Sequence, residues 1–229
     1  MKYVGALDQG TTSTRFIVFD HLGNPKASHQ IEHEQMFPHP GWVEHDPEEI
    51  WENCVEVIEQ TLRKVRATYR DLAGIGITNQ RETIVAWEPQ TGRVRYNAIV
   101  WQDLRSSDAI EELKRRIDVG KLQKHSGLIP SPYFSASKIA WMLEHVDHLR
   151  EDAEAGKVVF GTMDSFLVWN LTGGPGKGVT VTDVTNASRY MLMDIETLQW
   201  DDWLLSLFSI PRASLPSIVN SFGEAYGYT

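Results

Sequence analysis

The sequence predicts an α/β fold, and three observations carry that expectation. Its first 37 residues hold three short β-rich runs separated by tight polar turns. An amphipathic helical pattern follows Asp46. A nearly continuous apolar run, AGIGIT (Ala73 to Thr78), then returns to strand character. At 229 residues and 41% apolar, the chain can build a core as one large domain or two small ones, which excludes a disordered class. A net charge of −9 argues against a nucleic-acid surface. The one cysteine, Cys54, rules out an intrachain disulfide and fits a reducing compartment. The start carries no apolar signal segment and no run is long enough to span a bilayer, so a soluble cytoplasmic protein without membrane insertion is expected.

The first strands are expected at YVGAL (Tyr3 to Leu7), FIVFD (Phe16 to Asp20) and SHQIEHEQ (Ser28 to Gln35). Their short connections imply an antiparallel meander. Between the first two lies DQGTTSTR, Asp8 to Arg15. Gly10 gives the bend backbone freedom. Thr11, Thr12 and Ser13 crowd hydroxyls and N–H donors at the tip, which suits phosphate oxygens. Asp8 is of the type that holds a hydrated Mg²⁺, and Arg15 adds charge complementary to phosphate. The same stretch also reads as a polar hairpin turn closing a sheet. No Walker pattern occurs.

PHPGWVEHDP reads as a loop. Asp46 is placed to cap a helix over residues 48–69, with Pro47 at its first position and Glu49 set for a capping box. Ile50, Cys54, Val57, Ile58, Thr61, Leu62 and Val65 share one face, which makes Cys54 a core residue rather than a reactive thiol. AGIGIT is expected as a buried central strand ending in Asn79-Gln80-Arg81-Glu82, with TIVAWEP as the next strand. Ligands bind at the carboxyl ends of such strands. Arg81 and Glu82 supply donors and acceptors that suit a polyol, though a solvated ion pair gives the same pattern. YNAIVWQDLR is a further strand whose Trp101 is either an apolar wall for a small ligand or a core residue.

Helices are expected over 107–117 and 119–125, then a proline-broken loop carrying Tyr133 and Phe134, then a helix over 136–155. Lys138, His145 and His148 fit a solvated face of that last helix. None of the eight histidines falls in a zinc pattern, so no structural metal is assigned. Residues 157–161 form a short strand, with Thr162 capping a helix over MDSFLVWNL. GGPGKG fits no dinucleotide fingerprint and reads as a plain loop. Asp183, Asn186 and Arg189 form a polar cluster that shapes a site wall. WDDWLLSLFSI reads as a helix closed by Pro211, and VNSFGEAYGYT as the start of a strand or turn.

ALDQGTTSTR, PGWVEHDPEEIW, GITNQRET, YNAIVWQD, SPYFSASK and VTDVTNASR occur in this order from residue 3 to about 226. Together they resemble the glycerol kinase branch of the FGGY carbohydrate kinase family. TNQRE discriminates, because related pentulose and hexulose kinases tend to carry a Gly-Gln-Met-His type of segment there. The resemblance implies an actin-like, ribonuclease-H-like fold, in which the antiparallel meander joins parallel strands in a mixed sheet flanked by helices. It also implies glycerol and ATP/ADP as ligands and leaves a homo-oligomer open. Carried over by motif, Thr11, Thr12, Ser13 and Arg15 contact nucleotide phosphates, Asp8 positions Mg²⁺, and Arg81, Glu82, Trp101 and Tyr133 hold glycerol.

The family's catalytic base is an aspartate in a Gly-Asp-Gln-Gln segment, and no such segment occurs here. The resemblance therefore implies that residues 1–229 are the N-terminal kinase domain, ending before the base and without the C-terminal nucleotide-binding domain. Such a chain is expected to be inactive alone. The rival expectations are a ketose kinase of the same superfamily and a non-catalytic polyol-binding module.

Overall fold

A three-strand antiparallel meander opens the computed structural model, which describes residues 2–223 and 225–228. Strands β1 (Tyr3–Gln9), β2 (Ser13–Phe19) and β3 (Pro25–Glu32) pair in sequence order. A two-residue strand β4 (Glu44–His45), not foreseen in the PHPGWVEHDP loop, precedes helix α1 (Pro47–Lys64). Strand β5 (Leu72–Asn79) then lies parallel to β1, giving a mixed sheet of order β3-β2-β1-β5. The chain divides into two compact units, Met1–Gln35 with His45–Gln80, and Met36–Glu44 with Arg81–Thr229.

In the first unit α1 buries Ile50, Cys54, Val57, Thr61 and Leu62 against β2 and β3, beside Leu7, Phe16 and Val18. Burial pushes the Cys54 thiol up to about 12, so it stays an inert core group. Asp46 caps the helix by accepting from Glu48 N–H at 2.8 Å. The expected capping box does not form, because the Glu49 carboxylate turns to Glu34 N–H at 3.2 Å. The helix also stops five residues early. Thr68 N–H and hydroxyl both bond Asp71 Oδ2, at 2.9 and 3.0 Å, and this local turn competes with helical continuation. AGIGIT is an edge strand, not a buried central one. Its glycines are exposed and its isoleucines only half-buried, because glycine counts as apolar without offering a side chain to bury.

The second unit is built on β6 (Ile84–Trp87), flanked antiparallel by β7 (Val94–Ile99) and, later in the chain, β8 (Val159–Thr162). Between them come α2 (Ser107–Arg116), α3 (Val119–Ser126), α4 (Ser135–His145) and α5 (Leu149–Glu154). After β8 come α6 (Met163–Leu171), β9 (Val181–Asp183), α7 (Val184–Ala187), β10 (Met193–Asp194), β11 (Gln199–Trp200), α8 (Asp202–Leu207) and β12 (Ser217–Val219). The sheet runs β4-β7-β6-β8, and β12 pairs parallel with β9. Ile84, Ile99, Ile110, Leu122, Ile139, Met142, Phe160, Tyr190 and Leu204 meet in one core.

Four expectations in this unit are corrected. The helix over 136–155 is two helices, because Val146 turns extended after His145 and His148 takes a left-handed φ of 59° before α5 begins. Thr162 stands at the N-cap of α6, but its hydroxyl bonds Asp164 Oδ1 at 2.5 Å instead of capping. Helix α8 ends at Leu207, before Ser209 turns left-handed and well before Pro211. Lys138 is fully buried, whereas His145 and His148 are exposed as expected. Of the tail from Val219, only Val219 itself lies in a strand, as the last residue of β12, while Glu224 and Thr229 lie outside the described residues. Among the described residues no helix is long and apolar enough to cross a membrane.

Candidate functional site

The β1–β2 hairpin in the first unit places Asp8 opposite Arg15 and Gln9 opposite Thr14, so residues 10–13 form the tip. All four tip carbonyls already accept bonds. Gly10 O receives Gln9 Nε2 at 2.7 Å and Ser13 O receives Gly10 N–H at 2.8 Å. Thr11 O receives Gln35 Nε2 at 3.0 Å, and Thr12 O receives His33 N–H at 3.3 Å. With these four carbonyls engaged internally, a backbone donor remains at the tip. Thr12 is exposed, and its N–H has no partner among the described residues. That polarity suits an anion. Gly10 serves by close approach rather than by unusual φ, since a Cβ there would sit 3.2 Å from Ser13 O.

A buried amide–imidazole chain holds the tip from below. His45 Nε2 faces Gln35 Oε1 at 2.8 Å, and Gln80 Nε2 reaches His45 Nδ1 and Gln9 Oε1, both at 3.2 Å. These partners fix the tautomer with the proton on Nε2. Burial, with neighbouring His33, lowers His45 to about 3, so the imidazole stays neutral. Asp8 Oδ2 pairs with Arg15 at 2.8 Å, with both side chains partly exposed, a bridge worth ~0–1 kcal/mol. Asp8 Oδ1 has no partner among the described residues. A single hard carboxylate oxygen open to water is the donor that Mg²⁺ takes while keeping most of its hydration, so Asp8 fits that ion.

In the second unit three sequence-predicted residues converge. Glu82 is buried and holds a left-handed φ of 66°, a strained backbone of the kind kept at functional sites. Its Oε1 accepts from Arg189 Nε at 2.5 Å, and its carbonyl accepts from Ser135 Oγ at 3.1 Å. The Arg189 guanidinium lies 5.6 Å from the Tyr133 ring and 4.9 Å from Phe134. Tyr133 meets Trp101 edge-on at 5.5 Å. Trp101 is half-buried, not a core residue, and its N–H is held by Thr83 Oγ1 at 3.2 Å. Arg81 is exposed with no partner among the described residues, so the ion pair of Glu82 is with Arg189 and not with its sequence neighbour. Of the polar cluster, Asp183 is occupied in capping α7 through Asn186 N–H at 2.9 Å, and Arg189 is the member that reaches the site.

The turn that carries Trp101 is locked by a buried ion triad. Arg105 donates to Asp103 from Nε at 2.9 Å and Nη2 at 2.8 Å, and to Glu44 from Nη2 at 2.7 Å. Its guanidinium sits between the rings of Trp42, at 3.8 Å, and Trp141, at 4.6 Å. Val43 N–H completes Asp103 at 2.7 Å. The PGWVE and WQDLR segments are thus each other's partners. Sequence reasoning did not give this lock, because partners about 60 residues apart leave no local signal. His125, Asp194 and Asp201 also bring three ligand-type atoms within 4.8 Å, with His125 Nδ1 to Asp201 Oδ2 at 2.7 Å. A groove of about 440 Å³ beside α2 and α4 contains none of the predicted site residues.

The family model for the N-terminal domain of the FGGY family of carbohydrate kinases matches residues 3–229. The chain belongs to that family. This FGGY domain is 58% identical over 228 residues to glycerol kinase 3 of Streptomyces avermitilis and 54% identical to a glycerol kinase of Mycobacterium tuberculosis. Those matches take in 99% of the chain and 45% and 44% of the relatives, so the chain spans under half the length of the curated relatives it matches. The crystal structure of Plasmodium falciparum glycerol kinase with ADP superposes with a TM-score of 0.88 at 37% identity, over 95% of this chain and 43% of that one. A xylulose kinase from Lactobacillus acidophilus, at 23% identity and a TM-score of 0.84 over 96% of this chain and 42% of that one, shares the fold. The expected mixed α/β fold of the family is present.

Proposed function

We propose that this chain forms the polyol-binding and phosphate-contacting part of a cytoplasmic, ATP-dependent glycerol kinase. The observation that supports it most is the cluster of Glu82, Arg189, Tyr133 and Trp101. A small triol needs several directed donors and acceptors beside one apolar wall. Glu82 supplies the acceptor, Arg81 and the Tyr133 hydroxyl supply donors, and Trp101 supplies the wall. Thr11, Thr12, Ser13 and Arg15 contact the phosphates of ATP, and Asp8 holds Mg²⁺. When bound, that ion supplies positive charge against the phosphate oxygens.

Phosphoryl transfer is catalysed by positioning and electrostatics, with a base orienting the attacking hydroxyl. Glu82, committed to Arg189, serves binding. On this reading the base is the aspartate of the family's Gly-Asp-Gln-Gln segment, which these 229 residues do not contain, and its lack alone costs about 10²–10⁴-fold in rate. The test joins two measurements. Calorimetry of the chain with glycerol is expected to give heat at millimolar ligand or below. A coupled ADP assay on the full-length protein is expected to show turnover on glycerol above ribulose and xylulose. Faster turnover on a ketose would replace glycerol kinase by ketose kinase, and turnover by the 229 residues alone near the full-length rate would overturn the assignment of the base.

A further inference from the structure

Lys138 breaks two local rules at once. Its ammonium is completely buried, and it lies at the N-terminal end of α4, where the helix dipole disfavours a cation. Burial pulls its pKa down to about 7, against the opposing pull of the Asp103 and Glu82 carboxylates; the Arg105 guanidinium adds to the lowering. Three acceptors offset this. Nζ donates to Pro132 O at 2.7 Å, Tyr133 O at 2.7 Å and Phe134 O at 3.2 Å. Three carbonyls match the three N–H groups of an ammonium, whereas a neutral amine has only two N–H groups to donate to them. The charged form therefore suits the geometry.

These three carbonyls belong to consecutive residues, so one nitrogen fixes the curvature of the loop and the direction in which Tyr133 leaves it. Other ties complete the frame. Ser135 Oγ fastens the next residue to Glu82 O, and Tyr133 N–H is held by Ser131 Oγ at 3.2 Å. Tyr133 then stands between Trp101 and Arg189. A residue that violates local preference while organising a candidate site points to function.

We propose that Lys138 is a positioning residue for the polyol pocket, acting through the backbone of residues 132–134 to set the placement of Tyr133. The proposal rests on the glycerol kinase reading for its substrate, and on geometry alone for the clamp. The experiment uses Lys138→Met and Lys138→Arg in the full-length protein. In Lys138→Met, KM for glycerol is expected to rise about ten- to hundredfold, the scale of a mispositioned binding group, with KM for ATP within about twofold. Lys138→Arg, which keeps the donors, is expected to recover part of the loss. Amide hydrogen exchange is expected to quicken at residues 131–135 in Lys138→Met and to stay unchanged in α1.

Equal rises in both KM values, or unchanged exchange at 131–135, would overturn the clamp. If the wild-type protein fails to phosphorylate glycerol, the substrate reading falls, and the exchange comparison still decides the clamp. If neither variant folds, the wild-type protein decides it. Its Lys138 side-chain N–H signals, followed by NMR with isotope-labelled lysine, are expected to be protected from solvent and to shift on adding glycerol; signals unmoved by saturating glycerol would overturn the proposal.

Discussion

Glu82 and Arg189 show how a single pair can organise a site. The carboxylate is 2% exposed and the guanidinium 25% exposed, and they meet at 2.5 Å across 107 residues of sequence. Removing one partner of such a pair leaves the other buried without compensation, at a cost of about 3–5 kcal/mol. Arg189→Met should therefore do two things. It should lower the denaturation midpoint, and it should weaken glycerol binding by at least tenfold, because Glu82 loses the group that aims its Oε1. Arg189→Lys should recover charge without the planar contact to Phe134 and Tyr133, and so recover stability more than affinity. Calorimetry beside urea denaturation separates the two effects. An Arg189→Met variant that binds glycerol as tightly as wild type would show that Glu82 is aimed by the strained backbone alone.

At the scale of elements, the β1–β2 hairpin was the most legible part of the chain. Two β-rich runs with a short connection marked its strands, and hydroxyls between them marked its tip. AGIGIT was misread because its pattern is apolar without being bulky. Helix lengths were misread where the Asp71 side chain offered the backbone another partner and where His148 and Ser209 take left-handed backbone. The site residues were legible as types at strand ends, but their pairing was not. Arg189 with Glu82, and the Asp103–Arg105–Glu44 triad, join segments whose proximity only tertiary folding creates, while Lys138 bonds its own neighbours but is buried by the fold around it. One glycine of the hairpin gives a sharp test. A Cβ on Gly5 would lie 2.3 Å from the Phe16 ring, within a core where Phe16 is fully buried. Gly5→Ala should destabilise the first unit by about 1–3 kcal/mol, as overpacking does, read as a lower urea midpoint. Gly74→Ala, with open space around its Cβ, is the matched control and should cost well under 1 kcal/mol. Equal midpoints for the two variants would mean that Phe16 moves aside freely.

At the scale of the whole molecule, two buried groups give the stability curve opposite slopes. His45 is held near 3, below its ordinary 6.5, by burial and by His33. The unfolded chain binds a proton there first, so this contribution is complete above pH 6.5 and is lost as pH falls toward 3. Asp164 is raised from 3.8 to about 6 by burial, against hydrogen bonds from the hydroxyls of Thr162 at 2.5 Å and Thr182 at 2.8 Å. The folded chain keeps that proton longer, so its contribution is complete below about pH 4 and is lost as pH rises through about 6, on the order of 3 kcal/mol. Single variants separate the two slopes. Asp164→Asn keeps an acceptor and a donor for the two threonines and removes the titration. Its stability relative to wild type should therefore grow between pH 4 and 7 and then level. His45→Gln keeps a donor toward Gln35, and its stability relative to wild type should grow as pH falls from 6.5 toward 4. Urea midpoints measured across that range read both differences. Parallel curves for Asp164→Asn and wild type would mean that water reaches the carboxylate and that the Thr162 and Thr182 hydroxyls hold it ionised in the folded chain.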